Sequence, residues 1–278
     1  SLLICDTILK DNPKYAFAFK ALTKTAEVIV DKVVWSLSKH GLLKPVVKLK
    51  FPVYLENAEI TNVTAHNAKR VVEDGLGPGA KILITRSGYV IPKILKSIKK
   101  VKPQMPEQEY EWNENRVDLI HVGKDKSKMD IKQLEYFFKT LEIADTSNKT
   151  LEKLYKSGYN NLFKLVNATV DDFSQLEGFQ ERKSQKLYDN LHSAIKNVEL
   201  SRLMAASSVF GQGLGKRKSV LIVNKYPNIM NNKWEKEEFV EKILEIKGFA
   251  RKTAEQFVEK FDDFKKFLED NPDITYKL

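Results

Sequence analysis

Hydrophobic residues in the first hundred positions follow the pattern of short β-strands. Four segments are rich in β-branched residues or alternate between hydrophobic and polar positions, namely residues 28–35, 46–55, 81–85 and 90–98. Residues 67–72 predict a short helix between them, and the Gly75-Leu-Gly-Pro-Gly79 run breaks the chain sharply. Several short strands with one intervening helix favour a small Greek-key barrel of the OB-fold type.

The hydrophobic spacing changes after Asp130, where apolar residues recur at intervals of three and four. The first such positions are Ile131, Leu134, Phe137, Phe138 and Leu141. This spacing is typical of amphipathic helices. Residues 102–115 contain two prolines and predict a connector, and residues 116–121 predict one more strand. The prediction is an α+β multidomain protein in which an OB-fold β-barrel precedes an all-α domain.

A repeat runs through the helical half. Three copies read Leu176-Glu-Gly-Phe-Gln-Glu-Arg-Lys-Ser184, Gln212-Gly-Leu-Gly-Lys-Arg-Lys-Ser219 and Ile246-Lys-Gly-Phe-Ala-Arg-Lys-Thr-Ala254. Their leading glycines, Gly178, Gly213 and Gly248, follow one another at intervals of 35 residues. A fixed period of this size indicates a repeated supersecondary unit. A degraded fourth copy precedes them, with Asp145 and Ser147 in the glycine positions.

Each copy combines a tight turn with a helix that begins with basic and small residues, which is the helix-hairpin-helix pattern. The turn and the helix start offer unpaired N–H groups and a positive dipole end, and the glycines allow a phosphate to approach. The basic residues in these positions are Arg182, Lys183, Lys216, Arg217, Lys218, Arg251 and Lys252. Such contacts hold a nucleic-acid backbone without reading its sequence. The alternative is that the glycines only cap helices and the cations form a solvated face.

The copies are unequal, because only Gly213-Leu-Gly215 keeps both glycines. Gln180 and Ala250 replace the second glycine in the other two copies. We therefore expect the Gly213 copy to bind phosphate most strongly and the Asp145 copy to be structural.

Composition agrees with a polyanionic partner. The 278 residues, enough for about two domains, carry a net charge of +10. A lysine-rich composition without such a partner is the alternative. No apolar run reaches the roughly 20 residues that would span a bilayer. The chain starts at Ser1 instead of Met, which predicts a fragment or a processed product.

The cysteine content bears on metals and compartment. The single cysteine, Cys5, excludes an intramolecular disulfide and a thiolate zinc cluster, and the four histidines lack close metal-ligand spacing. The expectation is a reducing intracellular setting and no structural metal.

Four further motifs, in order, precede the repeat. They are Lys14-Tyr-Ala-Phe-Ala-Phe-Lys20, Ser38-Lys-His-Gly41, Thr64-Ala-His-Asn67 and Arg86-Ser-Gly-Tyr-Val-Ile-Pro-Lys93. Together with the repeat they resemble NAD-dependent DNA ligases, over residues 12 to about 270. The resemblance implies that Lys20 contacts the adenylate phosphate. It also implies DNA contacts near a nick for Lys39, His40, Arg86 and Lys93, and a structural role for His66.

Two departures from the family pattern stand out. Residues 102–128 contain no cysteine where the family carries a four-cysteine zinc module, and no Lys-x-Asp-Gly nucleophile occurs. The expected layout is a nucleotidyltransferase remnant (1–22), an OB-fold (23–101), a metal-free connector (102–129), a helix-hairpin-helix domain (130–270) and a tail (271–278). NAD and Mg²⁺ would be bound mainly by domains missing from this chain, and no BRCT domain is evident after Asp270.

The resemblance implies an enzyme that transfers AMP from NAD to a lysine and then to a DNA 5′-phosphate, before a 3′-hydroxyl seals the nick. This chain would grip nicked duplex as a monomer, beside DNA in the cytoplasm or nucleoid, with a nucleotidyltransferase domain on the same or a partner chain. It would have no membrane partner and would not be active alone.

Two alternatives remain at this point. A stand-alone DNA-binding repair accessory module has no need of the Lys20 segment. A helical protein-interaction scaffold does not require basic residues after each hairpin glycine.

Overall fold

The computed structural model describes residues 24–86, 91–124 and 126–278. Contacts divide these residues into two compact units. The first unit contains the described residues up to Ser36, together with Lys44–Glu107 and Trp112–Leu119. The second unit contains Leu37–Leu43, Gln108–Glu111 and the described residues from Ile120 to Leu278. No helix among the described residues is long and apolar enough to cross a membrane.

The first unit is a five-stranded barrel. Its strands are β1 (Thr25–Leu37), β2 (Leu42–Leu55), β3 (Ala58–Thr64), β4 (Lys81–Thr85) and β5 (Lys93–Lys99). They are arranged in the order β1-β4-β5-β3-β2, and pairing of β1 with β2 closes the barrel. Inward-facing Val30, Val47, Val63, Ile82 and Ile84 are buried in its core. The predicted OB-fold is confirmed.

One helix, α1 (Ala68–Glu73), lies between β3 and β4 along the chain. The Asn67 side chain caps it by accepting a hydrogen bond from the Arg70 backbone N–H at 2.9 Å. Asparagine is a favoured residue at this position, so the helix start was visible in the sequence. The helix was predicted over residues 67–72, within one residue of its observed bounds.

Strand β3 was missed by the hydrophobic pattern. It pairs antiparallel with β2 around a two-residue turn at Glu56 and Asn57, whose φ angles are 47° and 58°. A two-residue hairpin turn needs positive φ at both central residues, and Asn-Gly is its usual sequence. Because the turn contains no glycine, no turn signal separated β2 from β3.

Two short strands follow the barrel, β6 (Tyr110–Trp112) and β7 (Leu119–His121), in the region predicted to be a metal-free connector. Asn113 organises the loop between them. Its side-chain oxygen accepts hydrogen bonds from the backbone N–H groups of Val117 and Asp118, at 3.0 and 3.1 Å. The Asp118 carboxylate in turn lies 2.8 Å from the Lys44 ammonium. Hydrogen bonds and an ion pair therefore fix this loop.

The second unit is a bundle of short helices. They are α2 (Ser127–Thr140), α3 (Asn148–Lys156), α4 (Leu162–Val166), α5 (Val170–Ser174), α6 (Glu181–Ala194), α7 (Leu200–Ser207), α8 (Lys216–Lys225), α9 (Lys236–Leu244), α10 (Arg251–Glu259) and α11 (Phe261–Asp270). A 3₁₀ turn lies at Ile229–Asn231. The four repeat turns join α2 to α3, α5 to α6, α7 to α8, and α9 to α10, so the predicted tandem helix-hairpin-helix architecture is confirmed.

One detail corrects the all-α description. Two two-residue strands, β8 (Val198–Glu199) and β9 (Tyr276–Lys277), pair in parallel. Residues 271–278 are predicted as a tail from the sequence, because two residues are too few to show a strand pattern. The pairing ties the end of the helical unit to the residues preceding α7.

Aromatic residues fill the core of the helical unit. Phe210, Phe257 and Phe264 are almost completely buried. The ring centroids of Phe210 and Phe257 lie 4.7 Å apart, and those of Phe239 and Phe261 lie 5.0 Å apart. Truncating one such ring to alanine typically costs about 3–5 kcal/mol. This core holds the helices rigidly, so that the exposed turns keep a defined geometry.

Candidate nucleic-acid interface

All four hairpin turns share one backbone conformation. The turn residue at each leading position has a left-handed φ, 60° at Asp145, 78° at Gly178, 88° at Gly213 and 96° at Gly248. Glycine adopts this conformation without steric cost, and aspartate is one of the few other residues that tolerate it. We name the turns the Asp145, Gly178, Gly213 and Gly248 hairpins. The degraded copy therefore keeps the hairpin geometry although it has lost both glycines.

The second helix of each hairpin begins three residues after the left-handed residue, but the helix starts differ chemically. In the Asp145 hairpin, the Ser147 hydroxyl caps α3 by accepting from the Thr150 N–H at 3.2 Å. The residues in the same position of the other copies, Gln180, Gly215 and Ala250, make no side-chain cap. The first N–H groups of α6, α8 and α10 are thus open to an external acceptor.

The positions that follow show why the hairpins pack closely. Ser184, Ser219 and Ala254 occupy equivalent places in the three copies, and each is almost completely buried. The Ser219 hydroxyl donates to the Gly215 carbonyl at 3.4 Å, inside its own helix. Their small size allows the helices around them to pack closely.

The Gly213 hairpin carries the largest free positive charge. Lys216 and Arg217 are exposed in the first turn of α8. Neither side chain forms an ion pair with any residue of the described part of the chain. Lys218 is half-buried, with its ammonium 5.0 Å from the centroid of the Phe249 ring. Two cations are therefore available beside uncapped N–H groups.

The Gly178 hairpin offers a similar but weaker arrangement. Arg182 is exposed, and it has no ion-pair partner among residues 24–86, 91–124 and 126–278. The Lys183 ammonium lies 4.0 Å from the centroid of the Phe179 ring. It also donates a long hydrogen bond, 3.5 Å, to the Gly178 carbonyl. One cation is thus free and one folds back onto its own turn.

The Gly248 hairpin differs, because its arginine is already paired. Arg251 lies 2.7 Å from the Glu241 carboxylate and 3.7 Å from that of Glu255. The hydrogen bond that Arg251 donates to Glu241 raises the pKa of Arg251. Lys252 follows it in the first turn of α10. This copy therefore presents less positive charge to solvent than its basic sequence suggests.

The Asp145 hairpin presents a carboxylate where a phosphate would bind. The Asp145 side chain lies 2.9 Å from the Lys186 ammonium and 3.3 Å from the Asn190 amide. The hydrogen bond from Lys186 holds the pKa of this carboxyl below its usual range. This copy thus has a carboxylate and a capped helix start where the other three have a glycine and an uncapped helix start.

The two glycines of the Gly213 hairpin have separate roles. A side chain at Gly213 would meet no atom within 4 Å, but its φ of 88° would strain any other residue. Gly215 has an extended backbone that any residue adopts, with φ at −94°. A Cβ atom there would approach only the Tyr136 hydroxyl, at 3.9 Å. Gly213 therefore serves the turn, and Gly215 keeps space open before α8.

In the barrel, Arg86 and Lys93 lie at the strand ends predicted to approach DNA. Arg86 donates to the Glu56 carbonyl at 2.8 Å and so supports the turn between β2 and β3. Lys93 is exposed at the start of β5 and lies near His66. The backbone of His66 has a left-handed φ of 66°. Burial, with the nearby charges of Arg70 and Lys93, lowers the pKa of His66.

Lys39 and His40 belong by contact to the helical unit. The Lys39 ammonium lies 3.1 Å from the centroid of the Tyr136 ring and donates to the Ser208 hydroxyl at 3.0 Å. Burial lowers the pKa of Lys39 to about 8. Burial, and secondly the Lys39 charge, lowers the pKa of His40 to about 4, so this imidazole is neutral at pH 7. Lys39 and His40 form the turn that follows the end of β1.

Comparison with known proteins agrees with both units. The family model for the NAD-dependent DNA ligase OB-fold domain matches residues 27–106. The model for the SAM-like helix-hairpin-helix tandem matches residues 142–193, which contain the Asp145 and Gly178 hairpins. The chain belongs to the NAD-dependent DNA ligase family.

Several DNA ligases are similar over nearly the whole chain. A DNA ligase of Acanthamoeba polyphaga mimivirus is 37% identical over 97% of this chain and 43% of its own length. A DNA ligase of Shewanella baltica is 34% identical over 95% of this chain and 41% of its own length. The chain therefore spans about two fifths of these ligases.

The described residues of this ligase chain contain no group of three histidine, cysteine, aspartate or glutamate side chains that could hold a metal ion. Lys20, predicted to contact the adenylate phosphate, lies outside the described residues, as does the motif that carries it.

Tyr136 and Ser208 contact Lys39, and neither was predicted as a site residue from the sequence. Tyr136 directly precedes Phe137 and Phe138 of α2, so in the sequence it looks like part of the same apolar core. Unlike a phenylalanine of the core, Tyr136 carries a hydroxyl, and a hydrogen-bonding group at the edge of a core faces water or a ligand. No local signal links it to Lys39, about a hundred positions earlier in the chain.

Proposed function

We propose that this chain is the DNA-binding portion of an NAD-dependent DNA ligase, and that it holds nicked duplex through the phosphate backbone. The observation that carries the proposal is the repeated hairpin. Three copies combine a left-handed glycine with an uncapped helix start, and two of them add exposed, unpaired cations. This combination suits a phosphate oxygen, because N–H donors and the helix dipole attract an anion.

The four hairpins are proposed to differ in their affinity for phosphate. The Gly213 hairpin binds best, since it has two free cations and an open space at Gly215. The Gly178 hairpin follows with one free cation, Arg182. The Gly248 hairpin contributes less because Glu241 neutralises Arg251. The Asp145 hairpin supports the fold and does not bind DNA.

The barrel contributes contacts near the nick. The resemblance to the ligase family supports a minor-groove contact by Arg86 and a DNA contact by Lys93, and, from the helical unit, a minor-groove contact by the neutral His40. Arginine is favoured in a narrow minor groove by its enhanced negative potential. The Arg86 contact with the Glu56 carbonyl supports this role by fixing where the guanidinium lies.

The chemistry belongs to the whole ligase. NAD supplies the AMP group and Mg²⁺ supports its transfer, in a nucleotidyltransferase domain on the same or a partner chain. The residues of this chain bind and orient the two DNA ends, which lowers the barrier by positioning. Lys20 is proposed to contact the adenylate phosphate when that domain is present. The chain acts as a monomer on DNA, in the cytoplasm or nucleoid.

A titration tests the proposal. The 278-residue chain is mixed with fluorescent duplexes of several sequences, nicked and intact, at salt concentrations from 50 to about 200 mM, over which a protein with several phosphate contacts loses affinity steeply. We expect binding without sequence preference and a logarithmic salt slope of about −0.9 for each neutralised phosphate. Affinity that does not change with salt, or no binding at all, would reject a phosphate-directed function.

A further inference from the structure

The Lys39 ammonium is less exposed to solvent than is usual for a lysine in a turn. It is half-buried over the Tyr136 ring, and within the described residues it donates its hydrogen bond to the neutral Ser208 hydroxyl. No carboxylate forms an ion pair with it among residues 24–86, 91–124 and 126–278. A partly desolvated cation without a counter-charge is costly, so this arrangement favours an anion from outside the chain.

The residues that contact Lys39 lie at the Gly213 hairpin. Ser208 ends α7, the first helix of that hairpin. The Tyr136 hydroxyl lies 3.9 Å from the position of a Cβ at Gly215, in the space that precedes α8. This hydroxyl has no partner within the described part of the chain. An unpaired donor and an unpaired cation therefore border the space into which the first N–H groups of α8 open.

We infer that Lys39 and Tyr136 complete a composite phosphate site at the Gly213 hairpin. The phosphodiester bound there accepts from the α8 N–H groups and from the Tyr136 hydroxyl, and the Lys39 ammonium neutralises it. Tyr136 also positions Lys39 through its ring, since a cation over an aromatic face is held electrostatically. The inference rests on the proposed function, because it takes the ligand to be the DNA backbone.

Other features of the surface agree with an anion at this place. A cavity of about 680 Å³ extends from Lys39 along α2 and is also lined by Lys132 and Lys139. The Lys132 ammonium is paired with Glu135, whereas Lys39 and Lys139 have no ion-pair partner in the described ranges. A pKa of about 8 leaves Lys39 mostly protonated at pH 7, and a bound phosphate would raise it.

The first experiment separates the hydroxyl of Tyr136 from its ring. Tyr136→Phe keeps the ring that holds Lys39 and removes only the hydroxyl, so the fold is preserved. We expect affinity for nicked and intact duplex to fall by about tenfold or more, the size of one lost hydrogen bond to a charged group. Tyr188→Phe, on α6, is the matched control, since it removes a half-buried tyrosine hydroxyl from the same unit, and should not change binding.

The second experiment removes the cation. Lys39→Gln should lower affinity and reduce the magnitude of the salt slope by about 0.9, the contribution of one phosphate contact. Lys156→Gln, an exposed lysine at the end of α3, is its control. A Lys39 variant that binds with the wild-type salt slope would overturn the inference, as would a Tyr136→Phe chain with wild-type affinity.

A double-mutant cycle tests whether the groups share one phosphate. Gly215→Val blocks the space before α8, so removing the Tyr136 hydroxyl should have no further effect in that background. Additive losses would show that Tyr136 acts elsewhere and would overturn the composite site. If the wild-type chain fails to bind any duplex, the proposed function itself is wrong; if it binds but these variants match it, only the composite site is wrong.

Discussion

Arg251 and Glu241 form an ion pair across the two helices of the Gly248 hairpin, with 2.7 Å between guanidinium and carboxylate. Both side chains are exposed, at 63% each. The equivalent region of the Gly213 hairpin has no such carboxylate, since Lys216 and Arg217 have no ion-pair partner in the part of the chain that the structure describes. The pair thus distinguishes two hairpins whose sequences look equally basic.

Releasing this arginine should strengthen DNA binding. Glu241→Gln removes the carboxylate and leaves Arg251 free for a phosphate, so we expect affinity for duplex DNA to rise by roughly two- to fivefold and the salt slope to steepen. Fluorescence anisotropy at several salt concentrations measures both quantities. Glu238→Gln removes the same charge from the same helix without touching Arg251. Equal gains in the two variants would mean that only net charge matters.

Phosphate binding should be concentrated in the Gly213 hairpin. Gly215→Val adds bulk at an extended backbone position, so it should obstruct the phosphate without straining the turn, and affinity should fall by about tenfold or more. Ser147→Ala in the Asp145 hairpin should leave affinity unchanged, although loss of its cap costs about 1 kcal/mol of stability. Both variants are checked by circular dichroism and thermal melting before titration. Equal losses of affinity in two folded variants would contradict the unequal hairpins.

The pKa of His40 predicts how stability depends on pH. Its folded-state pKa of about 4 lies below the ordinary value of 6.5, so the unfolded chain binds a proton more readily. The free energy of unfolding should therefore fall as pH drops from about 6.5 to about 4, and this loss should stop below pH 4. Thermal melting across this range measures the loss.

The contribution of His40 can be isolated by replacing it. His40→Asn should flatten the decline between pH 6.5 and 4 relative to the wild type. His66 changes stability in the same direction, because its pKa is also lowered, so the two chains must be compared and not a single curve. A wild-type decline that persists unchanged in His40→Asn would show that this histidine is not the cause.

The chain should not become adenylated by itself. It contains no Lys-x-Asp-Gly nucleophile, so incubation with NAD and Mg²⁺ should leave its mass unchanged. Intact-mass spectrometry provides the measurement, with a complete NAD-dependent ligase treated in parallel to verify the conditions. A covalent AMP adduct on any lysine would contradict our account of which part of the ligase this chain supplies.

The elements that depend on neighbouring residues could be predicted directly from the sequence of this protein. The period between Gly178, Gly213 and Gly248 revealed the hairpins, because a left-handed turn favours glycine wherever the chain folds in the same way. Hydrophobic spacing separated barrel from helices for a similar reason, since each element's period is imposed by its own backbone geometry. The pattern missed β3, because Glu56 and Asn57 form a left-handed turn without glycine. It also missed β6, β8 and β9, because two or three residues are too few to show a period.

Tertiary structure decided which of the predicted cations are available to a ligand. Arg251 is neutralised by Glu241, Arg86 supports the Glu56 carbonyl, and Lys39 rests on Tyr136 at the Gly213 hairpin. The partners lie from 10 to 97 positions away along the chain. No periodic pattern records such pairs, because they depend on the packing that brings distant side chains together, whereas turns and helix starts depend on neighbouring residues alone.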